Sequence, residues 1–171
     1  MSYMDIFKDI KAHKFSNVYL FSGEEEYVKQ EALDQLVDAI VEPTFKDMNY
    51  QTIDGSEVRA DEIINACETL PFMADRRIVI VRDSMYLTRR RGGESYSAEE
   101  EKRMRDYIKD ISPTSHLVFY VRGGVDKRGA LYKAIKKHGC AVEFNRLKDY
   151  DIKRWVKKEL SKMLLETHSI N

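Results

Sequence analysis

The stretch from Val18 to Gln30, Val-Tyr-Leu-Phe-Ser-Gly-Glu-Glu-Glu-Tyr-Val-Lys-Gln, does most to limit what this chain can fold into. A β-prone apolar run too short for a helix meets a glycine turn and then a helical pattern, which makes a strand–loop–helix unit. Laid on the phosphate-loop pattern G-x-x-x-x-G-K-[ST], Gly23 takes the first glycine and Lys29 the lysine. Val28 replaces the second glycine, however, and Gln30 the magnesium-binding hydroxyl. Glu24, Glu25 and Glu26 also lie where backbone N–H groups would face a nucleotide, so like charges would repel its phosphates. The frame of the loop is kept and its chemistry is missing.

The same alternation continues along the chain. Met1 to Lys14 carries Ile6, Phe7 and Ile10 among charged residues, an amphipathic helix rather than the continuous apolar core of a signal peptide. After the loop, Tyr27, Val28, Leu33, Leu36, Val37 and Ile40 recur at helical spacing until Pro43. Asn49 to Ile53 reads as a strand closed by an Asp54-Gly55 turn, and residues 59–70 as a helix with Ile63, Ile64, Cys67 and Leu70 on one face. Pro71 breaks that helix because it lacks a donor and biases Leu70 away from helical angles, and Phe72 and Met73 follow at once. Arg77 to Asp83 is a continuous apolar strand with charged ends, as expected of a strand covered on both faces of a parallel sheet. Its end resembles a Walker B strand in which Arg82 and Asp83 replace adjacent carboxylates.

Thr88 to Ser95, containing Arg89-Arg90-Arg91-Gly92-Gly93, reads as a polar, flexible connection. A capping box, Ser97-x-x-Glu100, opens a helix with Met104, Tyr107, Ile108 and Ile111 that ends at Pro113. Leu117 to Val121 is a further strand, Gly123-Gly124 a turn, residues 128–137 a short helix and Ala141 to Phe144 a fifth strand. Strands alternating with helices predict an α/β fold, a parallel five-stranded sheet with helices on both faces. Last comes an amphipathic helix, Asp149 to Leu165, with Ile152, Trp155, Val156, Leu160, Met163 and Leu164 on one face. That face is expected to bury itself on the sheet or on a further domain.

Composition excludes several classes. With 43% hydrophobic and 34% charged residues, and no apolar run near the roughly 18 residues a membrane span needs, the chain is expected to be soluble and cytoplasmic, with no membrane partner. Cys67 and Cys140 lie among apolar neighbours and are expected to be free thiols. The four histidines lack ligand spacing, and His138-x-Cys140 offers at most two ligands where a structural zinc needs four, so neither a metal nor a catalytic residue is assigned. The zero net charge conceals a split: residues 1–70 hold 15 acidic and 6 basic side chains, residues 71–171 hold 14 and 23. A basic half fits nucleic acid or an acidic partner, or simply solvated faces.

The order of elements resembles the N-terminal domain of the delta subunit of bacterial DNA polymerase III. The resemblance runs through Val18 to Lys29, Ala60-Asp61-Glu62-Ile63-Ile64 and Glu68 to Val81 with its Leu-Pro-Phe-Met-x-x-Arg-Arg block. It continues in Leu117-Val118-Phe119-Tyr120, Asp126 to Lys137 and Val142-Glu143-Phe144. It implies an AAA+-like domain over residues 1–145 with a degenerate nucleotide site, then the first helix of a truncated helical lid over 146–171. It further implies a clamp-loader subunit that binds and opens the DNA sliding clamp (the beta subunit) without hydrolysing ATP itself and with no cofactor of its own. Other loader subunits would join through a C-terminal collar missing here, and DNA would be met only within the assembled loader.

The family's clamp-binding wedge, a hydrophobic pair after the second helix, falls on Phe72 and Met73, with Pro71 at the break and Leu70 expected to face inward as support. Burying the pair in a partner's pocket would contribute on the order of 3 to 6 kcal/mol before ordering costs. Lys29 is expected to remain as a surface or helix-packing lysine. Two rival functions stand beside this one. A P-loop ATPase or kinase would have to work with Val28 and Gln30. A basic nucleic-acid-binding module would use Arg89 to Arg91, Lys127-Arg128 and the last helix, without a recognition motif.

Overall fold

The apolar runs are the strands of one sheet. In the computed structural model, which describes residues 1–88, 96–146 and 148–169, β1 (Val18–Ser22), β2 (Tyr50–Asp54), β3 (Arg77–Arg82), β4 (Ser115–Tyr120) and β5 (Cys140–Glu143) pair in parallel in the order β2-β3-β4-β1-β5. Leu20 lies opposite Phe119 on one side and Ala141 on the other, and Val79 opposite Gln51 and Leu117. Successive side chains point to opposite faces, so each inner strand needs apolar residues at every position, and β1, β3 and β4 are buried almost throughout.

Each face is covered by its own helices. Tyr19, Phe21, Ile78, Ile80, Val118, Tyr120 and Val142 pack under α1 (Tyr3–Lys11) and α2 (Glu26–Ile40) through Ile6, Phe7, Ile10, Leu33, Leu36 and Val37. Leu20, Val79, Val81, Leu117 and Phe119 pack under α4 (Ala60–Glu68), α5 (Ala98–Lys109) and α6 (Ala130–His138) through Ile63, Cys67, Met104, Ile108, Leu131 and Ile135. Cys67 and Cys140 are free thiols, and burial pushes the Cys67 thiol up to about 12. Among the described residues no helix is long and apolar enough to cross a membrane.

The structure differs from the sequence reading in several places. Tyr27 is not on the buried face of α2: it is 66% exposed, with its ring edge-on to Trp155. Before β2 the chain makes an unanticipated 3-10 turn (Pro43–Phe45) and a short helix, α3 (Lys46–Asn49), so Asn49 is helical and the strand starts one residue later. Only half of the Ser97 capping box forms. Ser97 accepts the Glu100 N–H, while the Glu100 carboxylate accepts the Ala60 N–H at 2.7 Å and the Tyr86 hydroxyl, tying the start of α5 to that of α4. Beyond Thr88, the connection read as flexible lies outside the described residues, including Arg89 to Arg91.

The last helix, α7, spans Asp149–His168. Trp155 packs against the α1–α2 side of the core, whereas Ile152, Val156, Leu160, Met163 and Leu164 remain more than 40% exposed.

Candidate functional site

Two sites singled out by sequence lie at opposite ends of the parallel sheet: the degenerate loop follows the carboxyl end of β1, and the Leu70–Met73 tip precedes the amino end of β3. At the loop, Gly23 takes φ +113°, and a Cβ there would stand 2.2 Å from the Phe144 carbonyl oxygen. That contact explains the glycine without any ligand. The Gly23 N–H donates to the Gly123 carbonyl at 2.7 Å, and the Glu25 N–H to the Phe144 carbonyl at 3.0 Å. These donors already have protein acceptors.

Lys29 is not a surface lysine. It is fully buried, and its ammonium donates to the Gly23 carbonyl at 2.8 Å, the Val121 carbonyl at 2.7 Å and Glu26 Oε1 at 2.6 Å. An ammonium has three protons, so none is left for a phosphate. The other Glu26 oxygen accepts the Tyr120 hydroxyl at 3.1 Å, and burial with this carboxylate beside it raises the Tyr120 phenol. Val28, at the second glycine's position, is buried in the core.

Gln30 and Arg82, at the positions of the magnesium-binding hydroxyl and a Walker B carboxylate, bond to each other: the guanidinium donates to Gln30 Oε1 at 3.3 Å and lies 4.5 Å from the Tyr120 ring centre. Asp83 is turned to Arg122, accepting its backbone N–H at 2.8 Å and its Nε at 2.9 Å. Glu24 pairs with Arg146 across an exposed edge. Among the described residues no cluster of three or more His, Cys, Asp or Glu could hold a metal ion.

At the tip, α4 stops at Glu68, because Thr69 leaves the helical region (ψ 126°) with its hydroxyl bonded to the Asn65 carbonyl. This early stop corrects the expectation for Leu70. Carrying the helical phase past Thr69 would turn Leu70 inward, but it is 77% exposed, while Met73 is 71% and Phe72 46% exposed. All three bulky residues around Pro71 therefore stand on the surface together. Phe72 is tethered on its inner side: its ring meets Phe45 edge-on at 5.9 Å, and its backbone is bonded to the side chain of Asn49. Neither Phe45 nor Asn49 was marked by the sequence, since a contact made across a turn leaves no periodic trace.

The sequence profile described as DNA polymerase III, delta subunit, matches residues 19–145. The DNA polymerase III subunit delta of Bacillus subtilis (strain 168) is 32% identical over 146 residues, 84% of this chain and 41% of that protein. The chain therefore spans about two-fifths of the curated relative. A solved structure, the Bacillus subtilis DNA clamp loader delta protein, superposes with a TM-score of 0.77 at 31% identity, covering 85% of this chain and 43% of the other. A DNA polymerase III gamma subunit-related protein from Thermotoga maritima shares the fold, with a TM-score of 0.55 at 16% identity over 85% of this chain and 47% of its own.

Proposed function

Because the chain belongs to the DNA polymerase III delta-subunit family and has that family's AAA+-like fold, we propose that it serves a clamp loader by gripping the DNA sliding clamp and favouring its open form, with no ATP hydrolysis of its own. The tip at Leu70, Pro71, Phe72 and Met73 is the gripping element. Phe72 and Met73 enter a hydrophobic pocket near a clamp interface, and their better fit to the open shape shifts the clamp's equilibrium toward opening. Other loader subunits supply the energy of ATP, and DNA is met within the assembled loader. Residues 146–171 act as the first helix of a lid in that assembly, and the cytoplasm is where it works.

The observation that carries this reading is the exposure of Leu70, Phe72 and Met73 at a break that the fold holds in place. Apolar side chains left in water on a fixed backbone are what an anchor for a partner's pocket requires. The closed loop supports the second half of the proposal, since the Lys29 ammonium and the Gly23 and Glu25 N–H groups are already bonded to the protein.

The test is clamp binding by the wild-type chain and by Phe72→Ala/Met73→Ala. The double substitution is expected to weaken binding by about 100-fold, roughly 2.7 kcal/mol, with the unfolding midpoint little changed. Equal affinities would remove the site, and no binding by wild type would remove the function.

A further inference from the structure

Asn49, the last residue of α3, is fully buried, and its side-chain amide is fully engaged across 23 residues of sequence. Its Oδ1 accepts the Phe72 N–H at 2.7 Å. Its Nδ2 donates to the Phe72 carbonyl at 2.8 Å and to the Phe45 carbonyl at 3.2 Å. The carboxamide thus pairs with both polar groups of one backbone residue. The three bonds together need an acceptor and two donors, which among short side chains asparagine carries on one rigid plane, whereas ionised aspartate has no donor and serine has one. Its partners also fix its orientation: reversed, it would set N–H against N–H and oxygen against two carbonyls.

Phe72 is therefore bonded on both sides although it lies in no strand or helix, and its neighbour Met73 stands at φ 47°, a left-handed conformation that residues other than glycine rarely adopt. The Phe45 ring closes the same bracket from below. Between Glu68 and Arg77 no ladder or helix holds the chain, so a tip released from this bracket would sample many shapes. We propose that Asn49 is the positioning residue of the tip: by bonding the Phe72 backbone it holds Phe72 and Met73 in their presented conformation before any partner arrives. The identity of that partner rests on the clamp reading above; the bracket does not.

The consequence for binding is a matter of population. Apparent affinity falls by the fraction of molecules whose tip is in the competent shape. If loss of the bracket leaves one molecule in ten competent, clamp binding weakens about tenfold although no contact with the clamp has been removed.

Hydrogen exchange of the Phe72 amide in the free chain tests the bracket without a partner. It is expected to be protected in wild type and to exchange at least about tenfold faster in Asn49→Ala, while the β3 amides keep their rates. An unprotected wild-type amide, or an unchanged rate in the variant, would overturn the proposal; the wild-type measurement decides even if the variant fails to fold. Clamp binding supplies the second readout. Asn49→Ala is expected to cost about tenfold in the wild-type background and nothing further in Phe72→Ala/Met73→Ala, because both side chains that Asn49 positions are then gone. A loss of equal size in both backgrounds would mean that Asn49 merely supports the fold, and would refute positioning. Wild-type chain that binds no clamp would sink the functional reading while the exchange result still decides the role of Asn49.

Discussion

Replacing Lys29 with methionine separates a lysine retained for nucleotide from one built into the fold. The wild-type ammonium has no exposure and gives its three protons to Gly23 O, Val121 O and Glu26. Methionine fills much of the same space but leaves the buried Val121 carbonyl without a donor, costing about 1–3 kcal/mol, while the Gly23 carbonyl keeps the Gly123 N–H at 3.2 Å. Glu26 suffers little, because its side chain is 48% exposed and keeps the Tyr120 hydroxyl. Removing a buried charge returns part of this loss, since the desolvation of an ammonium is itself unfavourable.

The net expectation is a destabilisation of about 1–3 kcal/mol, or roughly 2–12 °C in the melting temperature of a domain this size. Urea unfolding followed by circular dichroism reads it, with calorimetric titration of magnesium-ATP into both proteins as the second arm. A phosphate-binding lysine would give the opposite pair of results, little change in stability and a large loss of nucleotide affinity. A cost below about 0.5 kcal/mol for Lys29→Met, or micromolar magnesium-ATP binding by wild type that Lys29→Met loses, would refute a purely structural Lys29.

Two further perturbations follow from the same geometry. Gly23→Ala would place a methyl 2.2 Å from the Phe144 carbonyl oxygen at φ +113°, and is expected to cost more than about 3 kcal/mol. Gly124→Ala, with nothing within 4 Å, should stay within about 0.5 kcal/mol by the same unfolding assay; similar effects of the two would contradict the steric account. Burial, with Arg76 nearby, holds the His116 imidazole below its ordinary pKa of 6.5, outweighing the bond from its ring to the Ser16 carbonyl, while its Nε2 has no partner among the described residues. The unfolded chain then takes up more protons below about pH 6.5, so this contribution to stability is present above that pH and is lost as pH falls. Urea midpoints at pH 7.5 and 5.5 should differ more for wild type than for His116→Gln, and equal differences would dismiss His116 as the cause.

The sheet was legible because Val18–Phe21, Ile78–Val81 and Leu117–Val121 are apolar at every position, a pattern that only a strand covered on both faces can use at that length. The tip was legible because Pro71 forces a break and Phe72-Met73 sits at it. The sequence misplaces Leu70 because it carries the helical phase two residues too far: Thr69 has already left the helix. For Lys29 the position was readable but not its burial, since a long aliphatic stem lets a lysine lie in the core when carbonyls wait at its end. Asn49 reads in sequence only as the first residue of a strand, with nothing to mark its bond to the tip, because that partner lies 23 positions away.

The two sites share β3, and that limits how they can communicate. β3 begins at Arg77, four positions after Met73, and ends at Arg82, whose guanidinium bonds Gln30 beside the closed loop. Over its length the strand spans roughly 20 Å and is paired on both sides, to β2 and to β4, with both of its faces buried. Such a strand cannot slide by a fraction of a residue without breaking both ladders. A nucleotide site at its far end would therefore have no soft path to the tip, and with the loop already filled by Lys29 there is no local event to transmit. On the proposed function, then, availability of Phe72 and Met73 to the clamp is controlled from outside the domain, by what covers or uncovers that surface, and the domain itself presents the tip in one fixed form.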